Sequence, residues 1–244
     1  MLKAFSITDV GRKRKLNEDF VCAKTEKTGA LPNFFIVADG MGGHKAGDRA
    51  SMETVGTMLQ SIENAKEKEP KDILYSALMA ANLKVFQDAS KSPELEGMGT
   101  TVVAATICGQ KLIAMNVGDS RLYLISDGEI RQITNDHSLV EEMVRNGVIP
   151  KERARNHPKK NIITRAVGVG SVVEPDFFEV DVKAGDRVLL CSDGLSNMLE
   201  DAELLKVVGS IGSLEEKANL LVDAANENGG KDNISVVLVE LSAE

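Results

Sequence analysis

The chain has 244 residues, of which 43% are hydrophobic and 27% charged, and its formal net charge is -8. That composition supplies one large globular core and excludes a disordered or fibrous chain. The negative balance excludes the basic surface with which proteins hold a phosphate backbone, so nucleic acid is not an expected partner.

Met1 to Asp9 shows no basic stretch followed by an apolar block, and no later apolar run approaches the roughly 20 residues that span a bilayer. A cytoplasmic chain with no membrane partner is therefore expected, and nothing suggests more than a monomer. Phe34 to Ala38 is an apolar strand. Asp48 to Ile62 carries Met52, Val55, Met58, Leu59 and Ile62 at helical spacing, so these residues, Met52 included, are expected on one buried face. The charged stretch Glu63 to Lys71 reads as a loop between helices. Lys71 to Ala89 repeats the helical pattern through Leu74, Ala77, Leu78, Ala81 and Val85.

Short β-rich runs follow at Thr100 to Ile107, Lys111 to Val117 and Arg121 to Ile125. Gly109-Gln110 joins the first two, and Asp127-Gly128 is a strong two-residue hairpin signal. Ser138 to Ala166 is polar, has no clear strand, and reads as a surface insertion in which His157 is exposed. Arg187 to Cys191 and Ile234 to Glu240 are strands, with a helix over Leu214 to Ala225 between them. Hairpin-linked strands beside blocks of helices indicate an α+β fold with helices packed on sheet faces. Cys22, Cys108 and Cys191 are too scattered for a disulfide framework or a thiolate zinc site; Cys108 and Cys191 lie in apolar runs and are expected as reduced core residues.

The chemistry sits at strand ends. The apolar run to Ala38 ends in Asp39-Gly40, and the run to Cys191 in Ser192-Asp193-Gly194. Asp232 precedes the last strand, Asp119 follows the strand ending at Val117, and Glu18-Asp19 leads into Phe20 and Val21. An isolated Asp-Gly is usually a turn, and Asp127-Gly128 is read that way. Four strand-terminal aspartates together are not. Converging carboxylates repel one another and raise each other's pKa unless a cation sits among them. Oxygen-only donors favour Mg²⁺, Mn²⁺ or Ca²⁺ over zinc.

Seven motifs stand in order: Gly11-x-x-Arg14-x-x-Asn17-Glu18-Asp19, Asp39-Gly40-Met41-Gly42-Gly43-His44, Gly97-Met98-Gly99-Thr100-Thr101, Gly118-Asp119-Ser120-Arg121, Asp136-His137-Ser138, Ser192-Asp193-Gly194 and Asp232-Asn233. In them the chain resembles the metal-dependent serine/threonine protein phosphatases of type 2C, most closely the compact bacterial members, from Gly11 to Glu240. The resemblance implies one domain over 1–244: a four-layer α-β-β-α sandwich with two antiparallel sheets face to face. It implies two Mn²⁺ or Mg²⁺ ions, with a third in bacterial members. Asp39 is implied to bridge the pair and Gly40 to bind through its carbonyl, while Asp193 and Asp232 complete the set. Glu18 and Asp19 are implied to act directly or through bound water, and Asp119 with Asp193 to hold the third ion. Segment 138–165 is implied to be the flap beside the active site.

Arg14, read alone, is one of four basic residues on a solvated loop. Its spacing to Asn17-Glu18-Asp19, matched to the family, marks it as the phosphate anchor, because a guanidinium offers paired donors to phosphate oxygens. Arg12 and Lys13 keep the solvated reading. Animal members place a histidine directly after Asp-Gly, where this chain has Met41. His44 is then the candidate proton donor, with helix capping as its other reading. His137 is expected to fix a loop by hydrogen bonding, and Thr100 and Thr101 to be structural. The expected function is hydrolysis of phosphoserine and phosphothreonine on proteins by a metal-activated water, opposing a bacterial serine/threonine kinase. A catalytically inactive phosphopeptide-binding module and a small-molecule phosphatase are the competing readings.

Overall fold

The computed structural model describes residues 1–42, 46–91 and 93–242, without the side chains of 151 and 152. The run Phe34 to Ala38 shows how its layers arise. All five residues are fully buried, which a strand achieves only when both its faces are covered. Successive side chains point to opposite faces, so Phe34, Ile36 and Ala38 join one core cluster and Phe35 and Val37 another.

The strands are β1 (Leu2–Asp9), β2 (Asp19–Lys24), β3 (Phe34–Met41), β4 (Gly99–Thr100), β5 (Val102–Cys108), β6 (Lys111–Val117), β7 (Arg121–Ser126), β8 (Glu129–Gln132), β9 (Asp176–Asp181), β10 (Arg187–Cys191) and β11 (Ile234–Leu241). One antiparallel sheet runs β1-β11-β10-β7-β8, the other β2-β3-β5-β6-β9, with β4 pairing β3. Phe35, Val37, Val103, Leu122, Val188, Leu190 and Val237 fill the space between the sheets. The helices are α1 (Ala46–Glu63), α2 (Pro70–Ala89), α3 (Leu139–Arg145), α4 (Lys151–Ala154), α5 (Asp193–Ser196), α6 (Asp201–Val208) and α7 (Leu214–Glu227). Val55, Met58 and Ile62 of α1 and Leu74 and Leu78 of α2 cover the outer face of the β3 sheet. Leu204 of α6 and Ala218, Leu221 and Ala225 of α7 cover the outer face of the β11 sheet. The result is the α-β-β-α sandwich.

Helix ends follow local chemistry. Pro70 starts α2, where its missing N–H costs nothing. Ser213 and Glu216 form a reciprocal capping box on α7: Ser213 Oγ accepts from Glu216 N at 3.1 Å, and Glu216 Oε2 accepts from Ser213 N at 2.7 Å. The Asp127-Gly128 hairpin is as expected, since both residues have positive φ (53° and 80°) and close β7 on β8.

Several expectations need correction. Met52 is half exposed, because it lies at the edge of the α1 stripe rather than under it. Asp39 and Gly40 lie within β3, which continues to Met41 by pairing with β4, so they do not follow the strand's end. The polar insertion, read as having no clear strand, contains the short helices α3 and α4. His157 is partly buried, and Cys108, at the hairpin end of β5, is only partly buried. The strands β1, β2, β8 and β9 and the short helices α5 and α6 were not predicted as elements.

Segment 138–165 closes on itself at its base. Leu139 N donates to Ile162 O and Thr164 N to His137 O, both at 2.8 Å. Its far part is tied to the body by Arg155, whose Nε meets Glu200 at 2.7 Å and whose Nη2 donates to Leu199 O at 3.0 Å.

Candidate active site

Asp39 is held by its backbone before its side chain does anything. Its carbonyl accepts from Thr101 N and Thr100 Oγ1, both at 2.8 Å, and its N–H donates to Thr101 Oγ1 at 3.1 Å. Thr100 and Thr101 are thus structural, as expected. In the β2–β3 register Asp39 stands opposite Asp19, so two carboxylates from strands about 20 residues apart become neighbours by strand pairing alone. Gly40 N donates to Glu18 O at 3.0 Å. A side chain at Gly40 would begin 2.0 Å from Gly47 O, so only glycine lets the backbone pass here.

The β11 sheet contributes from its own strand ends. Ser192 Oγ donates to Asp19 Oδ2 at 2.8 Å and accepts from Ser235 N at 3.0 Å, tying β2 to β10 and β11. Asp193 opens α5, and one turn on Asn197 Nδ2 donates to Asp193 Oδ2 at 2.9 Å. Asp232 Oδ2 accepts from Arg14 Nη2 at 2.8 Å, and Glu18 lies 3.9 Å from the other arm of the guanidinium. Arg14 remains about half exposed, so its outer N–H groups face solvent. Asn233 clamps the N-terminal loop from inside: its Oδ1 accepts from Glu18 N at 2.8 Å, and its Nδ2 donates to Val10 O and Leu16 O at 3.0 and 2.9 Å. Ser192, Asn197 and Asn233 were given no role by sequence reasoning. The only available signal was their adjacency to Asp193 and Asp232, or helical spacing from Asp193.

The electrostatics record how crowded these acids are. Burial, then repulsion from Asp19, Asp193, Asp119 and Asp232, holds the Asp39 carboxyl well above its usual range. Asp19 is pushed up to about 7 by burial, against the pull of the Ser235 and Ser192 hydroxyls, with Asp193 and Asp232 adding to the rise. Asp193 is raised to about 6, first by burial and then by Asp232, against the cations Lys160, Arg121 and Arg14. Asp119 is raised well above normal by burial and by Asp193 and Asp136. Glu18 is raised by burial, with Arg14 opposing. Asp39 and Asp193 keep partial solvent contact, which softens the burial cost without reversing it.

This donor set fits hard divalent cations. It offers carboxylate oxygens, and the direct ion pairs from Arg14 reach only Asp232 and Glu18. Asp19 Oδ1 is buried and has no hydrogen-bond partner among the described residues. An orphan carboxylate oxygen of that kind is costly unless charge is supplied to it. Among the described residues no three acidic side chains already close on a single point. Mg²⁺-like ions keep several waters and need no closed protein cage, so an open acidic pocket suits them.

The structure therefore brings Arg14, Glu18, Asp19, Asp39, Gly40, Asp119, Asp193 and Asp232 to one region, from both sheets. His44 lies outside the described residues. A cavity of about 610 Å³ extends from Asp119 and Asp193 towards segment 138–165, where Arg155, Asn156 and Lys160 line it.

Residues 11–232 match the family model described as Protein phosphatase 2C. The chain is 43% identical over 242 residues to the serine/threonine phosphatase stp of Listeria innocua, covering 96% of this chain and 93% of that protein. The solved serine/threonine phosphatase of S. agalactiae superposes with a TM-score of 0.92 at 37% identity, covering 99% of this chain and 100% of that one. The catalytic domain of the serine threonine protein phosphatase PstP, solved in complex with two manganese ions, gives a TM-score of 0.87 at 35% identity, with 99% of each chain covered.

Proposed function

Since the chain belongs to the protein phosphatase 2C family, we propose that Asp39, Gly40, Asp193 and Asp232 hold two divalent metal ions, with Glu18 and Asp19 completing the site. The protein is a metal-dependent serine/threonine protein phosphatase. The reading of the site rests on one observation above all: acids from distant segments crowd together until Asp39 and Asp119 sit well above their usual range, and Asp19 keeps an unpaired buried oxygen.

A phosphorylated side chain carries nearly two negative charges at neutral pH and is repelled by such a cluster. When bound, paired divalent ions reverse that sign and lower the pKa of water towards neutrality. The chain's own residues do the rest. Arg14, fixed on Asp232 through one nitrogen, presents its remaining donors to phosphate oxygens. Thr100 and Thr101 keep Asp39 from shifting, and Asn233 keeps Glu18 beside it. Asn197 orients Asp193. Preorganised groups of this kind act without reorganisation at the moment of reaction. His44 is proposed as the proton donor to the leaving hydroxyl.

We place segment 138–165 as a flap within a single domain, bordering the site through Arg155 and Lys160, and assign Asp119 with Asp193 to a third ion. No helix among the described residues is long and apolar enough to cross a membrane. A cytoplasmic monomer, free of membrane and nucleic acid, that removes phosphate placed by a bacterial serine/threonine kinase completes the reading. An inactive binding module is not favoured, because every acidic position expected of the site is present. Calorimetric titration with Mn²⁺ tests the ligand set. The wild-type chain should bind two ions or more, and Asp39→Ala and Asp193→Ala should each lose tight binding. Unchanged stoichiometry and affinity in both variants would remove the assignment.

A further inference from the structure

Asp136-His137-Ser138 is a motif to which the proposed reaction assigns no role, yet each of its three side chains is committed. Asp136 grips Arg121, accepting from its Nη2 at 2.7 Å and from its Nε at 3.0 and 3.1 Å. Ser138 Oγ caps the first flap helix by accepting from Glu141 N at 3.2 Å. His137, 2% exposed, spends four groups on three segments. Its N–H donates to Gly118 O at 2.9 Å, and its carbonyl accepts from Thr164 N at 2.8 Å at the flap's far root. Its Nδ1 accepts from Gly118 N at 3.2 Å, and its Nε2 lies 3.2 Å from Asp176 Oδ2 and 3.4 Å from Arg165 Nη1.

Those partners define the ring's state. Nδ1 faces an amide N–H and must present a lone pair, so the proton sits on Nε2 and points at a carboxylate. Burial holds the imidazole below its usual pKa, consistent with the neutral form. Asp176 Oδ1 also accepts from Arg165 Nη1 at 2.9 Å, on the flap's last residue. Asp136 and His137 therefore grip the Gly118-Asp119-Ser120-Arg121 turn at both ends, with Asp119 between them. Ser120 Oγ lies 2.7 Å from Thr101 Oγ1, the same hydroxyl that accepts from Asp39 N, so the clamp continues into the centre of the site. Gly118, at φ +104°, passes so close to Thr101 that a Cβ would start 2.6 Å from it, which leaves the turn little room to drift.

We propose that His137 is a positioning residue: its neutral imidazole pins the Gly118-Asp119 turn to the root of the flap, so that one ring fixes both the flap and the Asp119 carboxylate. The proposal rests on Asp119 serving the metal site, and extends that reading from ligands to the joint that places them.

The test uses the full-length chain with His137→Leu and His137→Asn, the amide oxygen of the latter standing near Nδ1. Amide hydrogen exchange by mass spectrometry, without metal, reads the joint independently of turnover. His137→Leu should accelerate exchange tenfold or more in both 118–121 and 139–165, while α2 and β11 stay unchanged. His137→Asn should restore protection at 118–121 but not in the flap, which has lost its link to Asp176. With added Mn²⁺, the concentration for half-maximal turnover of p-nitrophenyl phosphate should rise at least fivefold in His137→Leu and recover towards wild type in His137→Asn. Acceleration in only one of the two segments, or uniformly across the chain, would overturn the proposal. Wild-type turnover of the same substrate reports separately on the phosphatase assignment.

Discussion

The side-chain amide of Asn197, which caps the C-terminus of α5, donates to Asp193 Oδ2 at the helix's first residue at 2.9 Å. Its other end, Oδ1, accepts from Lys160 Nζ at 2.9 Å, so a lysine of segment 138–165 reaches a proposed metal ligand through one amide. A hydrogen bond to a charged acceptor contributes about 1.5–3 kcal/mol. Asn197→Leu is therefore expected to lower kcat/KM on a phosphothreonine peptide by roughly tenfold to a hundredfold. Steady-state kinetics at saturating Mn²⁺ check this; wild-type kcat/KM in the variant would show that Asp193 needs no such orientation.

The acidic cluster predicts an inverted pH dependence for the metal-free chain. Asp19 at about 7 and Asp193 at about 6 stand above the value near 3.9 of an unfolded aspartate. Between about pH 4 and pH 7 the folded chain thus binds more protons than the unfolded one, so stability from these groups is present below about pH 4 and is lost as pH rises to about 7. Metal binding requires the ionised form and runs the opposite way. Thermal melts in chelator should show these groups lowering Tm from about pH 5 to about pH 7.5, and Mn²⁺ should raise Tm more at the higher pH. An equal Mn²⁺ effect at both pH values would contradict the shifts.

Arg14 should act on substrate binding before it acts on chemistry. Lysine keeps the charge at this position but loses the paired donors. Arg14→Ala is expected to raise KM for a phosphopeptide about tenfold or more, with Arg14→Lys recovering only part of the loss. Kinetics on both variants give the split. A fall in kcat with KM untouched would place Arg14 elsewhere in the mechanism.

Much of this site was legible in the sequence because Asp39, Asp119 and Asp193 follow apolar runs. Five buried residues before Asp39 announce a strand with both faces covered, and the carboxylate has to lie near its end. What was not legible depends on partners far along the chain. Strand β1 alternates weakly and becomes a strand by pairing along its whole length with β11, more than 200 residues away. Helices α5 and α6 span about one and two turns, too short for a helical period to register. Met52 fitted the apolar stripe by spacing, but its burial depended on where α1 meets the sheet, which spacing does not encode. Asn233 looked like a neighbour of Asp232; its three bonds to the 10–18 loop exist only once the two ends of the chain are brought together.

The most direct test of the central claim is phosphate release from a phosphothreonine peptide by the wild-type chain and Asp39→Ala, each assayed in chelator and with Mn²⁺ restored. Turnover should vanish in chelator and return with Mn²⁺ for the wild type, while Asp39→Ala stays at least about a hundredfold lower with the metal present. Wild-type turnover in chelator, or full turnover by Asp39→Ala, would contradict the account.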